Sequence, residues 1–194
     1  MLKADIRKIY KEKRLSLSES SFKDKNNTLS NLFISWDKIK NIEFIHTFLP
    51  ILSQKEPDTW SFIHKAWEQK PKISWIIATT NFKKKELAHF HLNKETKLLT
   101  NQWGISEPVD AQIFSIENIQ MVLVPLLAFD KQGFRVGYGQ GFYDRFLAQC
   151  PQVIKVGISL EPPLEENITD IDNYDVSMNY CITPEGIIDF SKQF

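Results

Sequence analysis

MVLVPLLAFDKQGFRVGYGQGFYDRFL, residues 121–147, joins an apolar run to a helical segment through a cluster of glycines. Residues 121–129 are bulky and apolar, as a strand buried on both faces requires. Pro125 has no amide proton to donate, so it belongs at a strand end or an unpaired position. Residues 142–150 have helical spacing. The whole chain has seven glycines, and Gly133, Gly137, Gly139 and Gly141 all fall within this stretch. Glycine loses the most freedom on folding, so such clustering marks backbone that approaches something closely. Between a strand and a helix, successive amides form an anion-binding nest, and the helix points its positive end at the same place. Arg135 adds a fixed positive charge there, and Asp144, in the first helical turn, suits a divalent cation held against phosphate. A plainer reading stands beside this one: a β-hairpin turn at 130–133, followed by glycines that permit tight packing. The spacing matches neither GxxxxGK[ST] nor GxGxxG.

Outward from this segment, helices and strands alternate. Residues 2–17 read as a helix with Leu2, Ile6 and Ile9 on one stripe and Lys3, Arg7 and Arg14 on another face. Ser18 and Glu19 mark a new helix start, and the spacing carries it through Phe22, Leu29, Leu32 and Phe33 to Trp36. IEFIHTFL at 42–49 is a predicted strand ended by Pro50. Asp58 or Thr59 then caps a helix bearing Trp60, Ile63, Ala66 and Trp67. Further strands are predicted at 73–78, 87–92, 97–99, 153–159, 180–183 and 187–190. The alternation implies an α/β three-layer sandwich with a mixed, mostly parallel sheet, whose ligands bind at the carboxyl ends of strands. Residues 1–194 read as one domain.

Composition narrows the function classes. The 194 residues carry 24 basic and 24 acidic side chains, so no global field attracts nucleic acid or anionic lipid. Cys150 and Cys181 lack any metal-ligand spacing and fit a reducing compartment. The opening MLKADIRKIYKEKR has no apolar signal core, and no run approaches the roughly 20 apolar residues of a membrane span. The expectation is a cytoplasmic, soluble monomer that binds neither nucleic acid nor membrane. His89 and His91 would share a strand face, where a solvated or packed pair is a simpler reading than a metal site. Lys83, Lys84 and Lys85 read as a solvated turn. No Gly-x-Ser-x-Gly element or Cys–His pairing suggests covalent hydrolysis.

The glycine segment resembles the defining stretch of the 5-formyltetrahydrofolate cyclo-ligase family, also called 5,10-methenyltetrahydrofolate synthetases. Pro125, Phe129, Asp130, Gly133, Arg135, Gly137, Gly139, Gly141, Phe142, Tyr143 and Asp144 match it. So do an amino-terminal Lys-x-x-x-Arg (Lys3, Arg7), a Glu-x-Asp-Thr (Glu56, Asp58, Thr59) and a Trp-Gly-Ile-x-Glu-Pro from Trp103 to Pro108. The resemblance implies a fold similar to that of sugar-phosphate isomerases and CoA transferases. It implies MgATP-dependent closure of 5-formyltetrahydrofolate to 5,10-methenyltetrahydrofolate, with release of ADP and phosphate. In that reaction the formyl oxygen is phosphorylated, N10 adds to the activated carbon, and phosphate departs.

Residue roles are implied by the same resemblance. Lys3, Arg7 and the loop Arg135, Val136, Gly137, Tyr138, Gly139, Gln140, Gly141, Phe142 and Tyr143 would hold ATP. Arg135 and Asp144 would act in catalysis, and Asp144 with Asp175 would bind Mg²⁺. Leu49, Pro50, Glu56, Trp103 and Tyr143 would hold the folate, with Glu56 accepting hydrogen bonds from the pterin. Tyr174 and Asn179 depart from the family pattern of His before the second aspartate and Asp four residues beyond it. Tyr138 and Gln140 stand where some relatives place basic residues. These departures leave open a non-catalytic folate- or nucleotide-binding relative, and a related scaffold acting on another phosphorylated small molecule remains a third reading.

Overall fold

The computed structural model describes residues 1–190; the last four of the 1–194 range lie outside the described residues. Helix α1 spans Lys3–Leu15 and α2 spans Glu19–Ser35, the latter capped by Ser18, whose side chain accepts from the Ser21 amide. Strand β1 is Phe44–His46, α3 is Thr59–Gln69 with Asp58 capping the Trp60 amide, and β2 is Ser74–Asn81. Strands β3 (Glu86–Leu92), β4 (Lys97–Thr100), β5 (Ser106–Val109) and β6 (Met121–Pro125) follow. Then come β7 (Ala128–Phe129), β8 (Arg135–Val136), α4 (Phe142–Gln149), β9 (Ile154–Ile158), β10 (Tyr180–Thr183) and β11 (Gly186–Asp189).

Seven strands form one sheet in the order β11-β10-β9-β6-β1-β2-β3. The five inner strands run parallel, and β11 and β3 pair antiparallel at the two edges. Parallel strands need cover on both faces. One face packs Leu29, Phe33, Phe62 and Ile63 of α2 and α3 onto Ile45, Trp75, Leu123 and Val156. The other packs Phe146 and Leu147 of α4 onto Ile76, Val122 and Val124. The expected three-layer, mostly parallel α/β sandwich is the one observed.

Three local departures have physical causes. The predicted strand at 121–129 breaks after Pro125, which cannot donate to a continuing ladder; Ala128 and Phe129 instead pair with Val136 and Arg135 in a small hairpin. The hairpin reading of 130–133 therefore holds together with the strand-to-helix reading. Buried Asp130 organises it, accepting from the amides of Gln132 and Phe134 at 3.0 Å each and of Ile168 at 3.2 Å. The predicted strand at 42–49 keeps only three sheet residues; Thr47 still donates to the Ile76 carbonyl of β2 at 2.8 Å, and Thr47 to Leu49 form a cleft wall. In α1 only Ile6 of the expected apolar stripe is buried, while Leu2 and Ile9 are exposed. That helix docks on the hairpin through Ile6 and Tyr10, against Ala128, Val136 and Leu164.

The histidines under α4 are packed, as expected. His89 lies 4.4 Å from the Phe146 ring and 5.1 Å from His46, while His91 sits against Phe114. His46 is fully buried with both ring nitrogens unpartnered. Burial holds it well below the usual imidazole range, reinforced by His89, and pushes His89 down to about 4. Above pH ~6.5 both states are neutral at these positions. Below that, the unfolded chain takes up protons that the folded chain refuses, so stability falls from about pH 6.5 towards 4. For His89 the loss between pH 7.5 and 5 comes to about 2 kcal/mol. His46 adds to it, while the raised carboxyl of Glu56 acts in the opposite sense. Urea midpoints measured at both pH values should show this drop; equal midpoints would refute it.

Candidate active site

From β1 the chain passes to β2 on one side, and the later strands β6, β9 and β10 build out on the other. Such a switch point leaves a crevice at the carboxyl ends of the strands. A cleft of about 780 Å³ opens there, walled by Thr47, Phe48 and Leu49 beyond β1, Ile77 and Thr80 of β2, and Pro125 ending β6.

Helix α1 lies along the glycine loop with its basic face turned to it. Arg7 Nε donates to the Gly137 carbonyl at 2.9 Å, Lys3 Nζ pairs with Asp175, and Arg14 Nη2 donates to the Tyr138 hydroxyl at 2.6 Å. Lys11, one turn beyond Arg7, also faces the cleft. The loop keeps a shape that needs glycine: Gly139 has φ +87°, and a Cβ there would meet Arg7 Nη2 at 3.2 Å. Gly141, at φ +66°, precedes α4 without a side-chain cap. The first amides of α4 therefore lack the usual side-chain oxygen, and Gly141 through Asp144 line the cleft. Arg145 latches the loop from outside, donating to the carbonyls of Gln140 (2.6 Å) and Lys85 (2.8 Å). The exposed lysine turn between β2 and β3 is thereby tied to the loop.

Arg135 is buried along its side chain and reaches two acceptors, the Val176 carbonyl at 2.6 Å and Asp144 Oδ1 at 2.7 Å. The Val176 amide also donates to Asp144 Oδ1, at 3.2 Å. Asp175 Oδ2 accepts from Lys3 and from the Asp172 amide at 2.6 Å, so its side chain also closes a turn. Both aspartates line the cleft. Among the described residues no group of three or more His, Cys, Asp or Glu side chains forms a self-sufficient cation site. Mg²⁺ ordinarily takes only one or two carboxylates and completes its shell with phosphate oxygens and water. These two aspartates, beside the glycine loop and the basic side chains of Lys3, Arg7, Lys11 and Arg135, therefore fit a Mg²⁺ ion carried in with a polyphosphate.

Across the cleft, Glu56 is 5% exposed. Its Oε2 accepts from the Ile51 amide and its Oε1 from the Tyr138 hydroxyl, each at 2.7 Å. Burial pushes this carboxyl above its usual range, opposed by those two hydrogen bonds and by the Arg14 charge. Trp103, at the tip of the β4–β5 hairpin, is half exposed at the rim and lies against Phe82 with ring centres 4.1 Å apart. Glu107 holds that hairpin to β2 by accepting from the Thr80 amide at 2.7 Å.

Every site residue expected from the sequence lines this cleft except Pro50, which is buried and does not reach the wall. The two departures noted at the second aspartate lie off the wall. Tyr174 is 84% exposed, and Asn179 bridges β9 and β10 by accepting from the Lys155 amide at 2.8 Å. Sequence reading passed over Lys11, although its four-residue spacing from Arg7 carried the signal. It also passed over Phe82 and Arg14's contact with Tyr138, which only the tertiary approach of distant segments creates.

The sequence profile described as the 5-formyltetrahydrofolate cyclo-ligase family matches residues 2–184. A 5-formyltetrahydrofolate cyclo-ligase of Haemophilus influenzae is 31% identical over 143 residues, covering 72% of this chain and 73% of that protein. The protein of the same name from Escherichia coli K12 is 27% identical over 147 residues, covering 73% and 80%. Among solved structures, the Aquifex aeolicus 5,10-methenyltetrahydrofolate synthetase superposes with a TM-score of 0.82 at 24% identity, covering 98% of this chain and 93% of that one. The fold is thus one already seen in that synthetase.

Proposed function

Because the chain belongs to the 5-formyltetrahydrofolate cyclo-ligase family, we propose that its cleft binds 5-formyltetrahydrofolate beside MgATP and forms 5,10-methenyltetrahydrofolate, ADP and phosphate. The observation that carries this reading is one cleft holding both halves of the chemistry. A glycine-rich loop with Lys3, Arg7, Arg135, Asp144 and Asp175 shares the cleft with a buried carboxylate, Glu56, and an aromatic rim at Trp103.

The reaction explains the arrangement. A formamide carbon is a weak electrophile and its oxygen a poor leaving group. Transfer of the γ-phosphoryl group to the formyl oxygen, with departure of ADP, turns that oxygen into a phosphate ester. N10 then attacks the carbon, loses its proton, and expels phosphate as the ring closes. Phosphoryl transfer of this kind depends on alignment and charge neutralisation more than on a protein nucleophile. Mg²⁺ on Asp144 and Asp175 would neutralise charge on the phosphate oxygens. Arg135 and Lys3, now paired with those aspartates, would turn to the polyphosphate as the cation takes the carboxylates. The apolar wall from Phe48, Leu49 and Ile77 would keep water from the activated carbon, where hydrolysis would return the starting formamide. Every residue in this scheme comes from one chain, so a monomer suffices. Among the described residues no helix is long and apolar enough to cross a membrane.

Near-ultraviolet absorbance of the methenyl product tests the proposal. Protein mixed with 5-formyltetrahydrofolate should develop that absorbance only when MgATP is present. Tight folate binding without any absorbance gain would mark a non-catalytic relative instead.

A further inference from the structure

Tyr138 sits in the middle of the glycine loop, where the sequence assigns it to the nucleotide. Its hydroxyl does something else. A phenol has one proton to donate, and Tyr138 gives it to Glu56 Oε1 at 2.7 Å. The Tyr138 hydroxyl oxygen itself accepts from Arg14 Nη2 at 2.6 Å. The donor is therefore already used, and the residue is 40% exposed while its hydroxyl is held between Glu56 and Arg14. Arg14 comes from the last turn of α1, is 5% exposed, and has its Nε buried without a partner. A buried arginine aimed at a tyrosine that is aimed at a buried carboxylate is a chain with a direction.

We propose that Tyr138 is a positioning residue of the folate pocket: its hydroxyl, oriented by Arg14, holds Glu56 in place for the N–H donors of the pterin ring. This rests on the folate reading of the cleft. A pterin presents a ring N–H and an exocyclic amino group along one edge, and a fixed carboxylate accepts from both. Glu56 can do so only as an acceptor, hence only when ionised. Burial works against ionisation, while the Ile51 amide, Tyr138 and Arg14 work for it. Ionisable groups also facing this region are Tyr143 from α4, which feels the Glu56 charge, Arg135 from β8, which acts on Tyr143, and Arg7 and Lys11 from α1, which line the same cleft. The loop's contribution to phosphate binding is then made by its amides, and its central side chain serves the other substrate.

The test uses Tyr138→Phe, which removes one oxygen and keeps the ring. Binding of 5-formyltetrahydrofolate without nucleotide should weaken about tenfold at pH 7, the size carried by a hydrogen bond to a charged group. Affinity for a non-hydrolysable ATP analogue should stay within about twofold, since no lost contact touches phosphate. The pH below which folate affinity declines should move upward, because Glu56 loses one group that favours its ionised form. Arg14→Lys should fall between wild type and Tyr138→Phe. Unchanged or tighter folate binding in Tyr138→Phe, or a loss confined to the ATP analogue, overturns the proposal. Glu56→Gln run in parallel separates the two levels. If it too leaves folate affinity intact, the folate reading of the pocket fails; if only Tyr138→Phe is silent, the positioning role alone fails.

Discussion

Asp144→Asn should cut turnover by roughly a thousandfold, the upper range for removing one electrostatic contact to a developing charge, while folate binding in the absence of nucleotide stays near wild type. The substitution is nearly isosteric, and the amide oxygen can still accept from the Val176 amide and from Arg135 at the position of Oδ1. Folding should therefore survive, and a circular dichroism melt checks it. What disappears is negative charge, and with it the hard anionic ligand that Mg²⁺ prefers to a neutral amide oxygen. Arg135, whose guanidinium loses its ion pair, should bind the polyphosphate more readily, so ATP affinity falls less than rate. The variant should also need much higher magnesium for its residual activity. A single-turnover measurement at saturating ATP separates these effects. Cyclisation at the normal rate in Asp144→Asn would remove this residue from the metal site and leave its role as the anchor of Arg135.

The legible part of the molecule was the part written in local chemistry. Apolar runs at β2, β6 and β9, the Ser18 and Asp58 caps, and the glycine cluster each state their structure within a few residues. The basic face of α1 was visible too, because Lys3, Arg7 and Arg14 recur at helical spacing. Strand β5 escaped notice because it contains Pro108 and Glu107, poor strand formers by themselves; it exists because it pairs with β4 and because Glu107 takes the Thr80 amide. The bonds joining Arg14, Tyr138 and Glu56 were equally hidden. Their residues lie 124 and 82 positions apart along the chain, and no periodicity spans such distances. Fold and glycine loop thus follow from neighbouring residues, whereas the bonds that hold Glu56 depend on long-range approach.

Glu56→Gln should weaken 5-formyltetrahydrofolate binding about fiftyfold, as expected where a charge-assisted contact is lost and a buried donor is introduced without an acceptor. In the folded protein the carboxylate has Ile51 N–H on Oε2 and Tyr138 O–H on Oε1. Glutamine offers one oxygen for these two donors, and its NH₂ group then faces either a backbone amide or a phenol, like against like. Tyr138 can relieve the clash by reversing its proton, but Arg14 already donates to the same oxygen at 2.6 Å, which opposes that rotation. The pterin edge would likewise meet a donor where it needs an acceptor. ATP affinity should change little, because Glu56 meets the glycine loop through the Tyr138 side chain, whereas the proposed nucleotide contacts are the loop amides, Lys3 and Arg7. The kinetic signature is a large rise in KM for folate, a small change in KM for ATP, and a kcat that recovers at high folate concentration. Lowering the pH should hurt wild type more than the variant, since only the wild-type residue can gain a proton. A variant with unaltered folate KM across pH 6 to 8 would show that the pterin is recognised elsewhere in the cleft, and would return Glu56 to a purely structural role between the Ile51 turn and Tyr138.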